Sequence, residues 1–108
     1  MSDEPIIDSV RTRLLQIYDQ SDRLRMQLYA HKGAEPKMTI FKEDGTPAIE
    51  ISSMENDSDS RRIALFGKGD KWRLQISCND NGAGITVFDQ DGKCIKTLTL
   101  SETDGTEE

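Results

Sequence analysis

The stretch that decides the fold reads Ile40-Phe41-Lys42-Glu43-Asp44-Gly45-Thr46-Pro47-Ala48-Ile49-Glu50-Ile51. An aliphatic and an aromatic residue come first, and a polar turn containing Asp44-Gly45 follows them. Asp-Gly is a strong hairpin signal, because glycine adopts positive φ angles at no steric cost. After the turn, Ile49 and Ile51 flank a glutamate, which is the alternation of a half-buried strand. The stretch therefore predicts a strand–turn–strand unit.

The same unit occurs four times along the chain. Successive copies start at Ile17, Ile40, Leu65 and Val87, which are 23, 25 and 22 residues apart. A repeat of this length is the signature of stacked supersecondary units, each too small to bury its apolar face alone. The sequence therefore predicts an all-β fold, an antiparallel meander of about four hairpin repeats with about eight strands. The repeats lie at about residues 10–35, 36–60, 61–83 and 84–101.

Each copy has a turn position that favours a positive φ angle. Gly45 and Gly92 occupy it in the second and fourth copies, and Asp22 and Asp70 stand at the aligned position in the other two. Aspartate tolerates the left-handed region better than most residues. The fourth turn, Asp89-Gln90-Asp91-Gly92-Lys93, resembles the Asp-x-x-Gly-Lys turns of repeated strand units in bacterial and phage proteins. That resemblance implies no particular activity.

The strands after the turns alternate between apolar and polar residues. In the first copy, Leu24, Met26 and Leu28 are expected to share one face of the sheet. The fourth copy breaks this pattern, because Ile95 and Lys96 exchange the expected faces. A β-bulge or a frayed last strand would explain the exchange.

The N-terminal third of the chain allows a second interpretation. Spacings of three and four residues alternate through Ile7, Val10, Leu14, Ile17, Ser21, Leu24 and Leu28. This is the spacing of a coiled-coil seam. The alternative fold is an N-terminal helix over about residues 6–30, followed by a six-stranded β part. Strands are favoured, because residues 24–28 (Leu-Arg-Met-Gln-Leu) match residues 72–76 (Trp-Arg-Leu-Gln-Ile) position by position.

The composition predicts a single domain over residues 1–108 with a small core. Hydrophobic residues make up 34% of the chain and charged residues 31%. Either the core is thin, or association between chains supplies part of the burial. A meander also leaves two sheet edges open unless it closes. We therefore expect closure as a small barrel or sandwich within one chain, or closure by oligomerisation.

The net charge of −6 is concentrated at the ends of the chain. Residues 1–9 and 102–108 are predicted to be acidic flexible termini. No basic stripe stands out in the sequence, which disfavours nucleic acid as a partner. The chain has no apolar run long enough to span a membrane, and its start lacks the apolar segment of a signal peptide. We therefore expect no membrane partner and a cytoplasmic location.

An aromatic residue precedes each turn and is the most regular feature of the repeat beyond the turn itself. Packing of these rings at the hairpin ends would account for the row. The alternative is an exposed row that contacts a partner or another copy of the chain. The candidate interaction surface consists of Tyr18, Phe41, Phe66, Phe88 and Trp72.

Residues that could carry chemistry are few and scattered. His31 is the single histidine and lies in a predicted turn. Cys78 and Cys94 belong to strands two places apart in the meander, so their Cα atoms are expected beyond bridging distance and both thiols are expected to be free. The sequence predicts no catalytic residue, no cofactor and no metal site, and hence no enzyme.

Two functions from different classes follow from these observations. The first is a non-enzymatic interaction or assembly module, homo-oligomeric, whose partner is itself or another protein. The second is a β protein that binds a small ligand, a carbohydrate or a metal ion, at the turn end of the sheet. Trp72 and the polar turns motivate the second hypothesis.

Overall fold

The computed structural model describes residues 4–31, 35–54 and 60–101. Within these ranges the chain is all-β and contains no helix. The strands are β1 (Leu14–Tyr18), β2 (Leu24–Tyr29), β3 (Lys37–Phe41), β4 (Pro47–Met54), β5 (Ser60–Phe66), β6 (Trp72–Asn79), β7 (Gly82–Phe88) and β8 (Cys94–Ser101). The predicted meander is confirmed, with two strands in each copy of the repeat.

The alternative helix over residues 6–30 is wrong. β1 and β2 form an antiparallel hairpin in this region, in which Leu15 pairs with Leu28 and Ile17 with Met26. Residues 4–12 are exposed and lie outside regular structure. The predicted flexible termini are residues 1–9 and 102–108. Residues 1–3 of the first and all of the second lie outside the described residues.

The strands follow one another across the sheet in chain order, and each neighbouring pair is antiparallel. β1 and β8 each pair with one strand, so the sheet is open along both edges in the part of the chain that the structure describes. Closure between chains stays a prediction. The radius of gyration is 17.6 Å, against about 13 Å for a compact domain of this length. The open sheet and the segment 4–12 outside it both contribute to this difference.

A β-bulge follows the turn in all four hairpins. The register shifts between the aliphatic residue and the aromatic residue before each turn. As a result, one extra residue is inserted after the first residue of the returning strand. The inserted residues are Arg25, Ala48, Arg73 and Ile95.

The bulge corrects one expectation from the sequence and confirms another. Leu24 pairs with Tyr18, whereas Met26 pairs with Ile17. Leu24 therefore lies on the opposite face from Met26 and does not share a face with it as predicted. In the fourth copy the predicted bulge is present, and it places Lys96 opposite Val87.

The predicted left-handed turn residues are correct in three copies. Asp22, Gly45 and Gly92 have φ angles of 61°, 90° and 87°. In the third copy the positive φ angle of 66° belongs to Gly69 and not to Asp70. Glycine has no Cβ penalty in this region, so the turn places its left-handed residue one position earlier.

The connection between the third and fourth copies is a two-residue turn. Asn79 ends β6 and Gly82 begins β7, so only Asp80 and Asn81 lie between the strands. The side-chain Oδ1 of Asn79 accepts hydrogen bonds from the backbone N–H groups of Asn81 and Gly82, at 2.8 and 3.1 Å. These two hydrogen bonds stabilise a connection of only two residues.

The core of the described chain is thin, as its composition predicted. Ala64 is the one hydrophobic side chain among the described residues that is buried, and the buried polar side chains among them are Thr39 and Ser52. Cys78 and Cys94 are exposed free thiols, which confirms the prediction for them.

Candidate interaction surface

The larger apolar surface of the molecule is one face of the sheet, which we call the aliphatic face. The strand register aligns its side chains in two rows that run across all eight strands. The first row consists of Ile17, Met26, Ile40, Ile49, Leu65, Leu74, Val87 and Lys96. The second row consists of Leu15, Leu28, Met38, Ile51, Ile63, Ile76, Ile85 and Leu98.

The aliphatic face is open to solvent even at the centre of the sheet. Ile51 on β4 and Ile63 on β5 have strands on both sides, yet they are 41% and 38% exposed. Ile76 and Ile85, on the next two strands, are 41% and 40% exposed. Side chains at such positions stay exposed only because no second layer covers them. A contiguous exposed apolar surface of this kind is a candidate contact site.

A third row of side chains extends the aliphatic face at the end away from the Asp-Gly turns. Ser53, Arg61, Cys78 and Ala83 follow one another across β4 to β7 in this third row. A concavity of about 540 Å³ lies where this row meets the second row near β2 to β5. Its lining includes Leu28, Ala30, Met38, Ile51, Ser53 and Ile63.

The opposite face, which we call the aromatic face, carries the residues predicted from the sequence. Trp72 lies between Phe66 and Phe88, with ring centroids 5.3 and 6.0 Å away. The guanidinium of Arg62 lies 5.4 Å from the Trp72 ring centroid, within cation–π range. Three of the five predicted residues therefore form one packed cluster, in agreement with the interpretation that the rings pack at the hairpin ends.

The other two predicted residues lie apart from that cluster along the chain. Tyr18 belongs to the edge strand β1 and is 53% exposed, whereas Phe41 on β3 is half-buried. The contribution of the aromatic face to partner binding stays a prediction.

The two faces differ in how far their central side chains are shielded from solvent. Between the aromatic residues and the strand ends, the aromatic face carries a row of polar side chains and one alanine. Thr39 and Ala64 of this row are 5% and 0% exposed. The Arg62 side chain on this face lies over the Trp72 ring, whereas the two main rows of the aliphatic face carry apolar side chains at every position except Lys96.

Basic side chains link successive hairpins at the turn end of the sheet. Arg25 Nε donates to the Phe41 carbonyl at 3.1 Å, and Arg73 Nε donates to the Phe88 carbonyl at 3.2 Å. Both arginines are the bulged residues of their hairpins. They thereby satisfy a backbone acceptor of the next repeat.

The second repeat has Ala48 at the bulge and uses a different link. The Nζ of Lys42 donates to the carbonyls of Gly67 and Gly69, the latter at 3.1 Å. The sequence contained a signal for the arginine links, since Leu24-Arg25 and Trp72-Arg73 align, but this signal did not reveal the acceptors. These links join neighbouring turns at one end of the sheet.

Asp19 is the most strongly perturbed acid of the turn region. Its carboxylate accepts hydrogen bonds from the backbone N–H groups of Arg23 and Ser21, at 3.1 and 2.8 Å. It also lies 3.4 Å from Arg25 Nη1. The hydrogen bond from the Arg23 backbone is the main cause that lowers the pKa of Asp19 to about 2. The group is structural, because its partners belong to the turn itself.

A polar concavity of about 510 Å³ lies at the end of β6, β7 and β8 away from the Asp-Gly turns. Its lining is rich in small polar side chains and glycines, among them Ser77, Gly84, Thr86, Thr97 and Thr99. Among the described residues, no group of three or more His, Cys, Asp and Glu side chains gathers in a way that could hold a metal ion.

Comparison with protein-family models, with curated proteins and with solved structures finds no match for this chain. In the described ranges, no helix is long and apolar enough to cross a membrane.

Proposed function

We propose that the chain is a non-enzymatic assembly module that acts by self-association. The observation that carries this proposal is the exposure of the aliphatic face at the centre of the sheet, where Ile51 and Ile63 remain about 40% exposed. A sheet with one apolar face needs a second layer against that face. The described chain supplies one layer, so a partner has to supply the other.

The free energy available at this face supports the proposal. Eight strands spaced about 4.8 Å apart give a width of about 35 Å, and three rows of side chains give a height of about 20 Å. Covering about 700 Å² of largely apolar surface is worth on the order of 15 kcal/mol before the entropic cost of association. That is comparable to the whole stability of a small domain.

The cytoplasm is the compartment that we propose for this assembly. Cys78 and Cys94 are exposed thiols that lie on β6 and β8. The reducing conditions of the cytoplasm keep such thiols unpaired, whereas an oxidising compartment would promote intermolecular disulfides.

Measurement of mass in solution by light scattering tests the proposed function. We expect a mass that is a multiple of the 12.2 kDa chain. The variant Ile63→Glu should lower this mass towards that of one chain, because a carboxylate in the second row would have to be desolvated on association. A 12.2 kDa species at every concentration of the unmodified chain would contradict the proposal.

The matched control is Ser77→Glu on the aromatic face. Ser77 pairs with Arg62, the chain neighbour of Ile63, so the two variants place the same charge on adjacent strands but on opposite faces. The control should keep the native mass. Emission from Trp72, which lies on the aromatic face, reports whether each variant retains its fold.

A further inference from the structure

We propose that the aliphatic face is covered by the same face of a second copy, so that two single-layer sheets stack into a two-layer sandwich. This inference rests on the proposed self-association and adds the surface and the geometry of the contact. It specifies stacking of faces and excludes pairing of sheet edges as the means by which two copies meet.

The size of the face fits a second sheet and not a narrower partner. An α-helix with its side chains is about 10–12 Å across, so one helix or peptide would leave most of a face about 35 Å wide in water. A second sheet of equal width covers all of it. The contact of about 700 Å² per copy approaches the roughly 800 Å² per partner of a standard stable interface.

The repeat makes the face self-complementary. Because four similar hairpins contribute to the same two rows, the rows present similar aliphatic branches at every strand from β1 to β8. A two-fold axis brings the same patch of both copies together, which requires a surface that matches itself. β4 and β5 are central in the strand order, so Ile51 and Ile63 lie at the middle of a centred stack.

The charged side chains of the aliphatic face lie where stacking tolerates them. Lys96 is in the edge strand β8 and Arg61 is in the third row, near the strand ends. At the perimeter of a stack, long basic side chains can extend their charged groups to water while their stems cover apolar surface. The centre of the two main rows is free of charge at the described positions.

Closure of two copies through their edges fits the same surface poorly. If β8 of each copy paired with β1 of the other, the two chains would form a ring of sixteen strands. Side chains fill the interior of a ring of about eight strands, and a ring of about sixteen encloses a water-filled lumen. The aliphatic rows would then line that lumen and remain in water, with Lys96 among them next to Ile17. Stacking removes the rows from water, and ring closure does not.

Site-specific crosslinking of the full chain distinguishes the two geometries. The background variant is Cys78→Ser with Cys94→Ser, which removes both native thiols. Ile51→Cys and Ile63→Cys, introduced separately into this background, place one thiol at the centre of the aliphatic face. A dimaleimide with an arm of about 10 Å matches the separation of two packed sheets.

Two further variants in the same background serve as controls. Ser77→Cys places the thiol on the aromatic face, which points outwards in a stack. Gln16→Cys combined with Thr97→Cys places one thiol on each edge strand, in one row of the sheet. These two thiols of a single open sheet are about 34 Å apart, so that a short arm can join them only between copies.

The expected result is a covalent dimer from Ile51→Cys or Ile63→Cys, with at least ten times less product from the Ser77→Cys and edge variants. A product from the edge variant alone would overturn stacking and leave the self-association standing. A native mass above one chain without any crosslink on the aliphatic face would also overturn stacking. A mass of one chain throughout would reject stacking and the proposed function together. Trp72 emission and a cooperative unfolding transition verify that each variant is folded before its product is scored.

Discussion

Asp19 shows how a single side chain sets a turn of this sheet. Its carboxylate accepts from two backbone N–H groups of its own turn and lies 3.1 Å from Arg23 Nε. These contacts favour the charged form, so the pKa falls from 3.8 to about 2. A carboxyl whose pKa is lowered by folding stabilises the fold above its unfolded pKa, and this contribution is lost as the pH falls through the folded value.

We therefore expect Asp19→Asn to lower the melting temperature at pH 7. The gap between the variant and the unmodified chain should narrow from about pH 4 to about pH 2, because Asp19 itself becomes protonated over that range. Thermal unfolding followed by circular dichroism at several pH values measures both effects. Asp80→Asn, in the exposed turn between β6 and β7, is the control for the loss of one carboxylate. A gap of equal size at pH 7 and pH 2 would show that the charge of Asp19 is not what stabilises the turn.

The turns also show what the sequence could predict at the residue scale. Asp-Gly at 44–45 and 91–92 identified the left-handed glycines, because few other residues accept that conformation. The third turn offered Gly69 and Asp70 side by side, and alignment with the other copies favoured the wrong one. The alignment predicted where the turn lies, but the preference of glycine for positive φ angles determined which residue adopts the left-handed conformation.

Among the elements, the bulged arginines tie the first hairpin to the second and the third hairpin to the fourth. Arg25 Nε donates to the Phe41 carbonyl at 3.1 Å from a partly buried position. We expect Arg25→Ala to lower the free energy of unfolding by about 1.5 kcal/mol, since a hydrogen bond from a charged donor is worth about that much and the truncation leaves a carbonyl without its donor. Urea denaturation followed by Trp72 emission measures the loss.

Arg23→Ala is the matched comparison for this prediction. Arg23 is also near Asp19 and additionally lies 3.8 Å from Glu43, but its side chain is 45% exposed. Exposed ion pairs contribute about 0–1 kcal/mol, so this variant should lose less stability than Arg25→Ala. Losses of the same size in both variants would contradict a specific role for the link to Phe41.

The strands were predictable from their period, and the bulges were not. In the sequence, Leu24, Met26 and Leu28 alternate with polar residues without a break. The backbone has an extra residue at Arg25, so the face changes between Leu24 and Met26, and the alternation does not reveal this change. Only in the fourth copy did the hydrophobic pattern itself break, at Ile95 and Lys96. The competing heptad in the first copy failed for a related reason. In the hairpin the heptad residues divide between the two faces, with Ile17 and Leu28 on the aliphatic face and Leu14 and Leu24 on the opposite one.

At the scale of the whole molecule, the exposure of a face depends on what lies above the sheet, and the sequence of one strand does not contain that information. The aromatic row stood out in the sequence because its residues are distinctive, yet Phe66, Trp72 and Phe88 pack on one another. The aliphatic rows were visible only as alternation. Their continuity across eight strands comes from the register, which the repeat implied but the residues alone did not fix.

The edge strand β8 carries one charged side chain in the first aliphatic row. Lys96 occupies the first aliphatic row at a position where the other three repeats carry Met26, Ile49 and Leu74. A charged residue that points towards the apolar face of an edge strand discourages that edge from pairing with another sheet. If β8 paired with β1 of a further copy in continuation of the row, Lys96 would lie beside Ile17 in an apolar layer.

We therefore expect Lys96→Leu to form species larger than the native assembly, by edge pairing added to face stacking. Light scattering over a range of concentrations should show a mass that increases with concentration, whereas the native mass should level off. Lys93→Leu is the control, because Lys93 lies in the turn before β8 and outside the aliphatic rows. Both variants lose one positive charge, so a general loss of solubility would affect them equally. If Lys96→Leu kept the native mass at every concentration, Lys96 would have no part in protecting this edge, and the shape of the open sheet would have to be what limits the assembly.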